Sequence, residues 1–191
     1  MKLKSYIQPI DNPVNIQTEE ALISAAQDNP KAFKKLYERY YGAIFGFVFK
    51  RINDKDSTAD ITQQVFLNAL TNIKKYKHKG VPFSAYLYRI AINECNGFFR
   101  KMNNTRYLVV DEECKNSLID ELIPSDDHDV KMNQLIELLK KLDVKEIQLL
   151  ELRFFENHPF KEVGYILNIS ENLAKVKTYR LLSKMKKMLG R

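Results

Sequence analysis

Five residues, Tyr86, Arg89, Asn93, Asn96 and Arg100, lie 3, 4, 3 and 4 apart within FSAYLYRIAINECNGFFRK, residues 83 to 101. On a helix that spacing makes one continuous stripe. The mixture suits a separated nucleic-acid strand, because aromatic and amide groups hold unpaired bases while cations hold phosphates. Lys74, Lys75, Lys77 and Lys79 stand just before it in a basic loop, KKYKHKGVP. On spacing alone, a solvated face that keeps an amphipathic helix soluble is the competing explanation.

A second candidate lies in HPFKEVGYILNISENLAKVKTYRLLSKMKKML. Pro159 can start a short helix that packs through Val163, Ile166 and Leu167, and Gly164 puts a minimal side chain where a second helix must cross closely. Asn168 tolerates a left-handed turn, Ile169 can plug it, and Ser170 can cap the next helix. Ala174, Thr178, Leu181, Met185 and Met188 then form a buried seam at spacings of 4, 3, 4 and 3. Lys175, Lys177, Tyr179, Arg180, Lys184 and Lys187 are left to face outward, which gives the second helix a charge and a repertoire suited to DNA. An ordinary helical hairpin with a basic face is the plainer reading. The net +6 over residues 170 to 191 and the turn chemistry favour DNA binding.

The elements that position these residues read as helices throughout. Thr18 is expected to cap a first helix through Leu22, Ile23 and Ala26. Pro30 opens a second, carrying Phe33, Leu36, Tyr37, Tyr40, Tyr41, Ile44, Phe45 and Val48. Asn53 to Ser57 is a polar break, and TADITQQVFLNALTNI turns Ile61, Val65, Phe66, Ala69 and Ile73 inward. Residues 103 to 129 lose periodicity and gather eight acids from Asp111 to Asp129. Further helices are expected at about 130 to 142, 145 to 155, 159 to 167 and 171 to 189. The expected fold is all-α, with a leader at 1–17, a domain at 18–102, an acidic linker at 103–129 and a helix-turn-helix, winged-helix-like domain at 130–191.

Composition narrows the function classes. The 191 residues are 45% apolar, enough for buried cores. No run of about 18 apolar residues and no signal-like segment after Met1 occurs, so a cytoplasmic setting is expected. Residues 1 to 102 carry a net +7, residues 103 to 130 a net −6 and residues 131 to 191 a net +6. Basic blocks of this kind attract phosphate polyanions. Cys95 and Cys114 match no metal spacing, and His78, His128 and His158 have no partner at catalytic or metal spacing. No cofactor, metal or enzymatic activity is therefore expected.

Three stretches resemble, in order, the sigma factors of bacterial RNA polymerase, specifically the small two-domain extracytoplasmic-function group. ADITQQVFL is similar to the helix that docks on the polymerase clamp, and Asp60, Ile61, Gln63, Gln64 and Phe66 match its motif. FSAYLYRIAINECNGFFRK resembles the segment that opens and holds the downstream promoter element. The resemblance implies contacts there from Lys75, Tyr76, Lys77, Phe83, Tyr86, Arg89, Asn93, Asn96 and Arg100. Tyr86 stands where the family usually has tryptophan, Asn96 where it has aspartate, and Ile92 where arginine is frequent. HPFKEVGYILNISENLAKVKTYR resembles the helix-turn-helix that reads the minus-35 element, which implies Lys175, Val176, Lys177, Tyr179, Arg180 and Lys184 as contacts. The implied partners are core polymerase and promoter DNA, with an anti-sigma factor as an open further partner. In the family the connector threads toward the active-site channel of the polymerase. The alternative is a helix-turn-helix regulator that binds DNA alone and uses its first domain as a sensor or dimer domain.

Overall fold

The computed structural model describes residues 16–102, 118, 122 and 128–189. The chain divides between Val109 and Val110 into two compact units. In the first, α1 (Ile16–Asp28) begins two residues before Thr18, which is exposed inside the helix instead of capping it. Asn29 accepts a hydrogen bond from the Lys31 N–H, and Pro30 opens a 3-10 turn, Pro30–Phe33. A proline there gives up only an N–H that would lack a partner anyway.

Helix α2 (Lys34–Ile52) ends at Asn53, whose φ of 55° is left-handed. Asp54 then caps α3 (Lys55–Asn72) by accepting from the Ser57 N–H at 2.9 Å. The polar break is thus two residues long, because one asparagine ends a helix and one aspartate starts the next. Helix α4 (Phe83–Met102) completes the unit. Tyr40, Ile44, Phe47 and Val48 of α2 pack with Val65, Phe66 and Ala69 of α3 and with Phe83, Leu87, Ala91 and Cys95 of α4. Each large apolar side chain buried this way contributes about 1.5 to 3 kcal/mol.

One buried carboxylate joins three of these helices. Glu19 of α1 accepts a hydrogen bond from the Tyr40 hydroxyl of α2 and another, at 3.0 Å, from the Phe83 N–H at the start of α4. Burial, and then the adjacent Glu19 carboxylate, hold the Tyr40 phenol far above its ordinary range, so Tyr40 remains a donor. Glu19→Ala should strand the Tyr40 hydroxyl and the Phe83 N–H, at about 1 to 3 kcal/mol for each unpaired group. Glu19→Gln, which keeps one acceptor oxygen, should lose less. Urea unfolding followed by circular dichroism measures the order; equal stability of all three proteins would remove the carboxylate from this role.

The second unit contains α5 (His128–Leu139), α6 (Val144–Leu150), a π-turn at Glu151–Phe155, α7 (Phe160–Leu167) and α8 (Glu171–Leu189). Asp143 and Glu146 make a reciprocal capping box at the start of α6. Leu135, Leu138, Leu139, Leu142 and Leu150 close on Leu181, Leu182 and Met185 of α8. Leu118 and Leu122, from the stretch read as an acidic connector, are buried in this same cluster. The acids around them lie outside the described residues, as does Cys114. No strand, and so no β-wing, is present among the described residues.

Candidate nucleic-acid and protein interfaces

Helix α4 buries Leu87, Ala91, Ile92 and Cys95 and turns the stripe to the other side. Asn93 and Arg100 are exposed there, while Tyr86, Arg89 and Asn96 are half-buried. Ile90 and Phe98 are also only half-buried. Tyr86 rests on two deeper rings, with its centroid 4.9 Å from that of Tyr76 and 5.6 Å from that of Phe83. Tyr76 meets Phe83 edge-on at 5.1 Å. Of the residues expected at the contact surface, Phe83 is fully buried and Tyr76 nearly so. They are the floor beneath Tyr86.

The loop before α4 is held by a residue that no sequence pattern singled out. Gln27 Nε2 of α1 donates to the carbonyls of Ile73 and Tyr76 at 3.1 and 2.9 Å. Lys74, Lys75, Lys77 and Lys79 extend from this anchored backbone into solvent. Fixed backbone with mobile cations is a suitable arrangement for phosphates, which need charge more than geometry.

On α3, Asp60, Gln63 and Gln64 are exposed, whereas Ile61 and Phe66 are buried. Phe66 packs its ring against Tyr37 at 4.8 Å. Ile61 and Phe66 therefore shape this helix from beneath. Gln64 donates to Asn68 at 3.0 Å, and Asn68 donates to Glu94 of α4 at 2.8 Å, so a polar ladder fixes the outer edge of the two helices. Beside it Leu67 is 56% exposed.

In the second unit Gly164 is required by the helix crossing. A Cβ there would lie 2.9 Å from the Ile169 carbonyl oxygen and 3.0 Å from the Glu171 nitrogen, both backbone atoms. Asn168 is left-handed at φ 57°, and Ser170 Oγ accepts from the Leu173 N–H at 3.1 Å. The seam of α8 buries Ala174, Thr178, Leu181 and Met185. Met188 is instead 42% exposed, while Leu182 is buried beside Leu181 and Leu189 packs partly against the same cluster. Lys175, Val176, Lys177, Tyr179, Arg180 and Lys184 all reach the surface. Lys184 is held by Glu146 at 2.7 Å.

Two histidines do have acidic neighbours: His158 meets Glu162 at 2.7 Å and His78 meets Glu20 at 3.3 Å. Among the described residues no three metal-ligating side chains gather in one place. No helix among them is long and apolar enough to cross a membrane.

Known proteins match these two units. Residues 36–105 match the family model for sigma-70 region 2, and residues 138–187 match that for sigma-70 region 4. The extracytoplasmic-function sigma factor SigM of Bacillus subtilis is 23% identical over 158 residues, which are 82% of this chain and 94% of SigM. BldN of Streptomyces coelicolor, a sigma factor of the same group, is 25% identical over 160 residues, or 83% of this chain and 60% of BldN's length. The structure of CnrH in complex with the cytosolic domain of CnrY has a similar fold, with a TM-score of 0.58 at 18% identity, covering 90% of this chain and 97% of CnrH. With two models of one family placed in order over more than half of its length, this chain belongs to the sigma-70 family of RNA polymerase sigma factors, in the extracytoplasmic-function group.

Proposed function

We propose a division of labour within this sigma factor. Asp60, Gln63, Gln64 and Leu67 of α3 dock on core polymerase. The α4 stripe, with Lys75 and Lys77 of the preceding loop, takes the opened downstream element. Lys175, Val176, Lys177, Tyr179 and Arg180 of α8 read the upstream element, and Lys184 adds a phosphate contact. The observation that carries this reading is the position of Tyr86, an aromatic ring at the surface on a buried aromatic floor, in one stripe with Arg89, Asn93 and Arg100.

The work would be done in the cytoplasm, beside polymerase and chromosome. CnrH is described in complex with the cytosolic domain of CnrY, so a protein partner of this chain other than polymerase, such as an anti-sigma factor, is a further interaction to test. Pull-down with bacterial core polymerase followed by run-off transcription tests the whole assignment. A chain that ignores core polymerase but shifts DNA alone would be a self-sufficient regulator instead.

The two kinds of DNA contact on α8 should separate by mutation. Arg180→Ala should weaken promoter recognition by about 1 to 3 kcal/mol and relax discrimination at one base pair, as loss of a base contact does. Lys187→Ala should weaken all sequences alike and reduce the salt dependence, as loss of a phosphate contact does. Binding of the holoenzyme to a set of single-base promoter variants at two salt concentrations distinguishes them. Uniform loss for Arg180→Ala would make that residue a phosphate contact.

A further inference from the structure

A tyrosine on the exposed side of a helix normally samples more than one staggered rotamer. Tyr179 does not stand alone on α8. It is 50% exposed, yet its ring centroid lies 6.0 Å from that of Phe160, the first residue of α7. The Arg153 guanidinium from the π-turn sits over the Phe160 ring, 5.0 Å from its centroid, and donates to the His158 carbonyl at 3.2 Å. His158 in turn holds Glu162 of α7 at 2.7 Å. The segment carrying Phe160 is thus tied at both ends. An aromatic pair of this kind biases a rotamer by roughly two- to tenfold.

We propose that Arg153, Phe160 and Tyr179 act as one packed unit in which Tyr179 meets the methyl group of a thymine in the upstream element and Phe160 is the positioning residue. The inference rests on α8 being the upstream reader. A ring edge is suited to the thymine 5-methyl group, which marks that base in the major groove and offers only an apolar contact. Tyr179 is next to Arg180 on the same exposed side, so an aimed ring and a cation would read neighbouring features. A ring free to rotate would cover the methyl group only part of the time, and the preference for it would fade.

The test uses the full chain assembled with bacterial core polymerase and an upstream element selected by that holoenzyme from randomised DNA. Each thymine of the selected element is replaced in turn by deoxyuracil, which removes only the methyl group. The wild type should lose roughly fourfold in binding at one position, the effect of one methyl group buried from water. Tyr179→Leu should be indifferent to that replacement, Phe160→Leu should show a reduced dependence because its Tyr179 ring is no longer aimed, and Phe160→Tyr, which keeps an aromatic neighbour, should retain it. If Phe160→Leu does not fold, Arg153→Met provides the same comparison, with reduced methyl dependence expected. Several results would overturn the proposal: no methyl dependence at any thymine in the wild type, no thymine selected, or a Phe160→Leu or Arg153→Met variant with full wild-type dependence. A holoenzyme that selects no upstream element at all would instead sink the assignment of α8.

Discussion

Asp60→Arg combined with Gln64→Arg is expected to abolish co-elution with bacterial core polymerase while leaving the melting temperature unchanged. The two side chains lie one turn apart on the outer face of α3, and both are exposed. Two new positive charges there replace an acid and an amide. At a docked, desolvated surface, wrong-sign charge costs several kcal/mol. In the free protein the same positions face water, where substitutions stay within about 0.5 kcal/mol. Gln64 contributes one exposed hydrogen bond to Asn68, and the Asn68 to Glu94 bond survives without it. Leu67→Asp should reproduce the loss of binding by removing the apolar anchor beside the ladder. Co-elution of the double variant at wild-type strength would refute this face as the docking surface, and unfolding measured in parallel ensures that a collapsed protein is not mistaken for a confirmed prediction.

The helices were readable because their ends use short-range chemistry. Asn168 and Ser170 join two helices through three residues as read, whereas the break read at Asn53 to Ser57 is only Asn53 and Asp54, whose cap was not singled out. Such signals depend on neighbours within three residues and survive in any tertiary context. Depth is different. Tyr76, Phe83 and Tyr86 are all aromatic, and only the folded packing shows that two rings are floor and the third reaches the surface. Ile61 and Phe66 are buried for the same reason, although their motif suggested contact. Leu67 could have been noticed, since it follows two inward residues, Val65 and Phe66, and a third in succession leaves the buried arc of the helix. Glu19 and Gln27 could not, because their partners are 21 to 64 residues away in the chain. Leu118 and Leu122 carried a faint signal, a spacing of four within an acidic stretch, that charge counting obscured.

The packing under Tyr86 leads to the second large effect. Opening a base pair costs a few kcal/mol, and stacking an unpaired base on an aromatic ring returns about 1 to 3 kcal/mol. A side chain whose role is to offset that opening cost matters less on DNA that is already open. In holoenzyme, Tyr86→Ala should therefore depress transcription from duplex promoter by about tenfold or more, and recover most of it on a template with a pre-formed bubble over the downstream element. The variant removes an outer ring and leaves Tyr76 and Phe83 in place, so the unit should keep its fold. Tyr86→Leu, which restores apolar cover to that floor without an aromatic face, should show the same template dependence and so separates stacking from packing. Arg89→Ala and Arg100→Ala should behave otherwise. Guanidinium groups hold phosphates whether or not bases are paired, so these variants should stay weak on both templates and worsen as salt rises. Normal duplex transcription by all of these variants, with unchanged melting temperatures, would mean that the stripe only faces solvent. Loss on both templates for Tyr86→Leu would mean that its ring serves the fold of α4 and not the opened strand.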